Sequence, residues 1–107
     1  GEAPYTLDDA RASYEHALAI DPDDCEALQE LGHFHYIDDN NALAEESFLR
    51  AIARGATMHA FLRLAELYLE EGRATEACDL LSPIRCPYHD DAEVSSLRTQ
   101  AAEAGKS

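Results

Sequence analysis

The side chains of this chain that could bind a metal ion are mainly its cysteines and histidines, so their spacing comes first. Cys78, Cys86 and His89 are separated by seven and two residues and have no obvious fourth ligand. Structural zinc sites close with four ligands, so this spacing favours packed or surface thiols. Glu30 and His33 share one helical face, as ligands of di-iron bundles do, but those sites need the motif twice and it occurs once. We expect no metal and no cofactor.

The sequence also lacks a pattern typical of catalysis. It has no Gly-rich phosphate loop, no nucleophile elbow and no His-Glu-x-x-His motif. Its five histidines are scattered, which is typical of surface residues. Its three cysteines are odd in number and have no framework spacing, which favours reduced thiols in a cytoplasmic setting. We predict that the protein is not an enzyme.

Charge narrows the class of partner. The 107 residues include 22 acidic and 8 basic ones, a formal net charge of −14 at pH 7. Such a surface repels nucleic-acid phosphates and anionic membranes, and no apolar stretch approaches the roughly 18 residues that span a bilayer. We expect no nucleic-acid and no membrane partner. The charge favours a basic or amphipathic protein or peptide, although it also serves solubility alone.

The chain repeats itself at an offset of 33 residues. Large apolar residues recur at positions i, i+3 and i+7, with small residues between them, which predicts a pair of antiparallel helices whose backbones approach closely. The offset aligns Leu28 with Phe61, Leu31 with Leu64, Gly32 with Ala65, Ala44 with Ala77, Phe48 with Leu81 and Ala51 with Ile84.

This pattern resembles the tetratricopeptide repeat. The residues that carry the likeness are Leu28-x-x-Leu31-Gly32 with Ala44-x-x-x-Phe48-x-x-Ala51, and Phe61-x-x-Leu64-Ala65-x-x-Tyr68 with Ala77-x-x-x-Leu81-x-x-Ile84. Upstream, Ala10-x-x-x-Tyr14-x-x-Ala17-x-x-x-Asp21-Pro22 is similar to the second helix and closing turn of an earlier copy, and Val94-x-x-Leu97 begins a weak fourth. The resemblance implies an all-α, right-handed solenoid of antiparallel helix pairs with about six helices. It covers residues 6–104 as one domain, with a half-repeat at 6–22, repeats at 24–56 and 58–87, and a capping helix at 91–104.

Periodicity and capping residues predict where the helices begin and end. We expect helices at 7–20, 24–38, 42–54, 58–71, 74–85 and 91–104, and no strand. The predicted N-caps are Thr6, Asp23, Asn41, Thr57 and Asp90. Gly55 and Gly72 are expected to end helices in the left-handed region, and Pro83 is expected to end or kink the fifth helix early.

The resemblance also implies a concave groove, lined by the first helices of successive repeats, that takes an extended or helical peptide. The matching positions are Glu26, Gln29, His33, Tyr36 and Ile37 on one helix and His59, Leu62, Glu66, Leu69 and Glu70 on the next. A helical wheel independently places Leu62, Glu66 and Leu69 on one face. Two leucines there indicate an apolar strip with acidic edges, unless helix 91–104 or a second copy covers them.

The predicted function is therefore a non-catalytic protein–protein interaction module. Some members of the family hold a peptide's terminal carboxylate through Lys and Asn, but Gln29 and His33 stand at those positions, so we do not expect that mode. Two alternatives stay open at this point. The chain could be a homodimerisation or assembly domain of a larger protein, or an accessory domain of an enzyme.

Overall fold

The computed structural model describes residues 7–55 and 57–105, and all regular structure in these ranges is α-helical. The prediction of an all-α fold with six helices is confirmed for this part of the chain. Five helices agree with the predicted ranges to within one residue at either end. The six are α1 (Leu7–Ile20), α2 (Cys25–Ile37), α3 (Asn41–Ala53), α4 (Met58–Glu70), α5 (Ala74–Leu80) and α6 (Ala92–Ala104).

Helix α5 is five residues shorter than the predicted range 74–85, as expected from Pro83. Proline has no N–H to donate to the carbonyl four residues earlier, and its ring disfavours helical backbone at the preceding Ser82. The chain instead makes turns, in which the Cys86 amide donates to the Ser82 carbonyl at 2.8 Å. Ile84 was aligned with Ala51, a buried residue, but it lies in these turns and is 94% exposed. That part of the predicted second repeat is wrong.

The described residues fall into two compact units, which divide after residue 56. In the first unit, α2 packs against α3 and α1 packs against α2. In the second unit, α4, α5 and α6 each pack against the other two. Each unit therefore has its own small helical core.

The core of the first unit depends on a close approach between α2 and α3. Gly32 of α2 lies against the ring of Phe48, and a Cβ added to Gly32 would stand 2.9 Å from Phe48 Cδ1 and Cε1. Phe48 is only 1% exposed. On the other side of α2, the Tyr14 and Phe34 rings meet with centroids 6.1 Å apart, and the Arg11–Asp38 ion pair also joins α1 to the end of α2.

The core of the second unit surrounds α4. Seven of its thirteen residues are buried, as the nearly continuous apolar sequence of this helix predicts. The loop between α5 and α6 closes one side, because Cys86 is 1% exposed and the Tyr88 ring packs edge-on against Phe61 at 5.9 Å between centroids. Helix α6 adds the buried Val94 and Ala101.

The N-caps of α2 and α6 lie one residue later than predicted. Asp24 caps α2 by accepting from the Ala27 amide at 3.1 Å, and Asp91 caps α6 by accepting from the Glu93 amide at 2.8 Å. Asp23 lies inside the preceding turn, where its amide donates to the Asp21 carboxylate. Asp24 and Asp91 both have the extended backbone that is typical of an N-cap.

The other predicted helix ends give mixed results. The N-cap of α3 is Asn40 instead of Asn41, whereas Thr57 is the N-cap of α4 as predicted. Thr6 lies outside the described residues. Gly55 and Gly72 have φ of +88° and +75°, which confirms that both turns use the left-handed region.

Candidate protein-interaction surface

Five of the ten predicted groove residues lie on α2 in the first unit. Glu26 and Ile37 are exposed, while Gln29, His33 and Tyr36 are half-buried. The His33 and Tyr36 rings stack with centroids 6.4 Å apart and an angle of 23° between their planes. This stretch of α2 therefore presents a mixed aromatic and polar surface.

The other five lie on α4 in the second unit. His59, Glu66 and Glu70 are exposed and Leu69 is half-buried, but Leu62 is only 7% exposed. Helix α6 packs against α4, and Leu62 shares a depression with it. For Leu62, this agrees with the alternative that helix 91–104 covers the leucines of this face. Leu69 is still half-buried.

This depression, which we call the α4–α6 groove, lies wholly within the second unit. Its volume is about 340 Å³, and its lining residues come from residues 62–66 of α4 and 92–100 of α6. The floor is apolar and the rim carries two carboxylates. The lining comprises Leu62 and Glu66 from α4, and Ala92, Glu93, Ser96, Leu97 and Gln100 from α6.

The α6 half of the groove was not among the predicted site residues. The 33-residue offset carries His59 onto Ala92, so the repeat could have indicated where this half begins. The same offset carries Ala60 onto Glu93 and Leu64 onto Leu97, but Ala60 and Leu64 are buried core positions of α4, so the repeat does not mark Glu93 or Leu97 as groove residues. Leu97 is half-buried, and Glu93 is exposed in the first turn of α6.

The electrostatic character of the α4–α6 groove is acidic. Glu66 and Glu93 are both exposed, and a carboxylate in the first turn of a helix is favoured by the helix dipole. The arginine of α6 is held elsewhere, since Arg98 Nη1 donates to the Leu81 carbonyl at 3.3 Å. The groove therefore combines an apolar floor with negative charge on both walls.

A second polar depression in this unit, about 300 Å³, is lined by Tyr68, Thr75, Glu76, Asp79 and Arg85. Arg85, which lines it, and Arg73, which contacts the lining residues Tyr68 and Glu76, already have partners. Arg73 lies over the Tyr68 ring at 4.4 Å and its Nε donates to Glu76 at 2.8 Å. That hydrogen bond lowers the pKa of Glu76. Arg85 pairs with Asp79 at 2.9 Å. Because each cation faces a carboxylate, this depression is not suited to an anion.

The cysteines and histidines that could suggest metal chemistry are separated in the structure. All three cysteines are free thiols, and His89 Nδ1 lies 3.1 Å from Asp90. Burial raises the pKa of the Cys86 thiol, so it stays protonated at neutral pH. Within residues 7–55 and 57–105, no three potential ligands come together around one point.

Comparison with protein-family models, with curated proteins and with solved structures finds no match for this chain. The likeness to the tetratricopeptide repeat therefore rests on the residues quoted above, and the helical fold rests on the structure. None of the helices in the described part of the chain has the length and apolar character required to cross a membrane.

Proposed function

We propose that this chain is a non-catalytic protein-interaction module that binds a basic, amphipathic segment of a partner protein in the α4–α6 groove. The supporting observation is that Leu62 and Leu97 share one depression with Glu66 and Glu93. The resemblance adds weight, because α4 and α6 take the place of first helices of consecutive repeats, which line the groove in that family. The free thiols suit a reducing compartment such as the cytoplasm.

The two kinds of side chain have different roles in this proposal. An aliphatic side chain of the partner lies between Leu62 and Leu97, and burying one contributes about 1.5–3 kcal/mol. Lysine or arginine beside it faces Glu66 and Glu93, and exposed ion pairs of this kind contribute about 0–1 kcal/mol each. The apolar contact therefore provides most of the affinity, whereas the carboxylates provide orientation and a faster association rate.

The test uses a capped helical peptide with leucines on one face and lysines on the other. A ¹H–¹⁵N NMR titration should show chemical-shift changes concentrated on α4 and the first half of α6. A peptide with glutamate in place of lysine and one with alanine in place of leucine serve as controls, and both should bind more weakly. Changes spread evenly over the acidic surface would contradict the groove assignment.

Matched variants separate the groove from net charge. Glu66→Gln with Glu93→Gln should weaken binding about two- to tenfold, while Glu15→Gln with Glu103→Gln removes the same charge elsewhere and should have a smaller effect. Leu97→Ala should weaken binding by about tenfold or more. Equal losses in the two glutamine pairs would show that binding depends only on overall charge, and the proposal would fail.

A further inference from the structure

The outer side of α3, opposite its buried stripe of Ala44, Phe48 and Ala51, carries apolar residues between charged ones. Ala42 and Ala53 are exposed, Leu49 is half-buried, and the neighbouring Leu43 is 47% exposed. Ala42, Leu49 and Ala53 line a depression of about 460 Å³ together with three charged residues. We call this surface the α3 outer face: Ala42, Glu45, Glu46, Leu49, Arg50 and Ala53.

The charged residues of the α3 outer face are placed so that two copies of this face have opposite charges facing each other. At about 100° per residue, Glu46 and Arg50 lie on the same flank of Leu49, and Glu45 lies on the other flank. Consider two α3 helices packed antiparallel about a twofold axis near residue 48. Glu46 of one copy then lies opposite Arg50 of the other, and the symmetry makes this pair twice.

The apolar positions obey the same symmetry. Ala42 of one copy comes within one residue of Ala53 of the other, which is about 1.5 Å of helical rise. The two Leu49 side chains lie near the axis. Small residues at both ends and a leucine at the centre permit a close helix–helix contact, with ion pairs at its edge.

We propose that the α3 outer face binds a second copy of this chain and forms an antiparallel, twofold-symmetric dimer. Charge selects this occupant over a basic partner, because a purely basic segment would place like charge against Arg50. Arg50 donates one long bond, 3.4 Å, to the Pro22 carbonyl, but a guanidinium has five N–H donors and can also bind Glu46 of the second copy. The face belongs to the first unit, whereas the α4–α6 groove belongs to the second.

The dimer is expected to be weak, since the face of one 13-residue helix buries less surface than a standard interface. Sedimentation velocity should therefore show a shift from monomer to dimer somewhere between about 10 µM and 1 mM. A wild-type chain that stays monomeric over this whole range would overturn the proposal.

Charge exchange gives the decisive test. Glu46→Arg alone and Arg50→Glu alone should each abolish the dimer, because each creates two like-charge contacts. The double variant Glu46→Arg with Arg50→Glu should restore it. A 1:1 mixture of the two single variants should also form a dimer, because one chain then carries two arginines opposite two glutamates of the other. Glu103→Arg changes the net charge of the chain as Glu46→Arg does and should leave the dimer intact.

Two results would contradict the proposed dimer. Single variants that dimerise like the wild type, or a double variant and a mixture that both stay monomeric while circular dichroism shows folded helices, would overturn the proposal. The Glu46→Arg variant should still bind the lysine peptide as the wild type does. The outcome for the dimer is thus independent of the outcome for the α4–α6 groove.

Discussion

Among single residues, Gly32 sets how closely α2 approaches α3. The 33-residue offset predicts a small residue there, because it aligns Gly32 with Ala65. The sequence does not reveal that even a methyl group would be too large. That follows from the 2.9 Å separation between the added Cβ and two ring atoms of Phe48.

Gly32→Ala should therefore destabilise the chain, although alanine is the better helix former. The propensity gain is about 1 kcal/mol, whereas overpacking a filled core costs about 1–3 kcal/mol. The cost should prevail because Phe48 is 1% exposed and has little room to move. Urea unfolding measures the difference. In a Phe48→Leu background the same substitution should cost less or stabilise, and an equal cost in both backgrounds would contradict this explanation.

Because the Cys86 thiol is buried, we expect the free energy of unfolding to decrease at alkaline pH. Burial raises the pKa of its thiol above the ordinary value of 9.0, so the thiol is mostly neutral in both folded and unfolded chains below about pH 8. As pH rises from there towards the raised pKa, the unfolded chain loses the proton while the folded chain keeps it. The free energy of unfolding should fall over this interval. Cys86→Ala should show a shallower fall in urea unfolding at the same pH values, since the two chains differ in this thiol alone. Equal slopes would mean that Cys86 is not the source.

Helix positions could be predicted well from the sequence, but their ends less well. Periodicity places α1 to α4 and α6 to within one residue, because their apolar residues recur every three or four positions. Adjacent aspartates leave the cap ambiguous, because Asp23 and Asp24 both suit an N-cap and only the backbone of the preceding turn decides between them. The residue at which α5 ends depends on Pro83 together with the buried Cys86 beyond it.

Asp24→Ala should cost about 1 kcal/mol, the usual loss for an N-cap side chain. Asp23→Ala should cost less, because it removes only an exposed ion pair with Arg54 at 2.9 Å, and such pairs contribute little. Urea unfolding of the two variants compares neighbouring carboxylates, of which Asp24 caps α2 and Asp23 does not. If Asp23→Ala were the more costly change, the cap assignment would be wrong.

The sequence predicted the α4 side of the α4–α6 groove but not the α6 side. The wheel of α4 groups Leu62, Glu66 and Leu69 on one face, and Leu62 and Glu66 line the α4–α6 groove, whereas Leu69 lines a different depression. The sequence of α6 has a thin apolar stripe in Val94, Leu97 and Ala101, which predicts a helix with one packed side. It does not say which helix that side packs against, so the second wall of the groove required the structure.

At the scale of the whole molecule, the net charge of −14 is the dominant electrostatic feature. Several arginines are already matched to carboxylates by ion pairs, as with Arg54 and Asp23 or Arg85 and Asp79. Acidic residues still far outnumber basic ones, and their mutual repulsion opposes the compact state.

Sodium chloride should therefore stabilise the chain. Raising its concentration from about 10 mM to 500 mM shortens the Debye length from about 30 Å to less than 8 Å and screens the repulsion. The urea midpoint should rise with salt, and the rise should be smaller in a variant carrying Glu15→Gln and Glu103→Gln. A midpoint that falls with salt would show that the exposed ion pairs outweigh the repulsion.

The contact between Gly32 and Phe48 also has a consequence for how this sequence can change over generations. A larger residue at position 32 is tolerable only after the ring at position 48 has become smaller, so the order of the two substitutions matters. Among chains that share this helix pair, the two positions should covary, with glycine accompanying phenylalanine and alanine accompanying leucine. The second repeat already shows the latter combination, in Ala65 and Leu81.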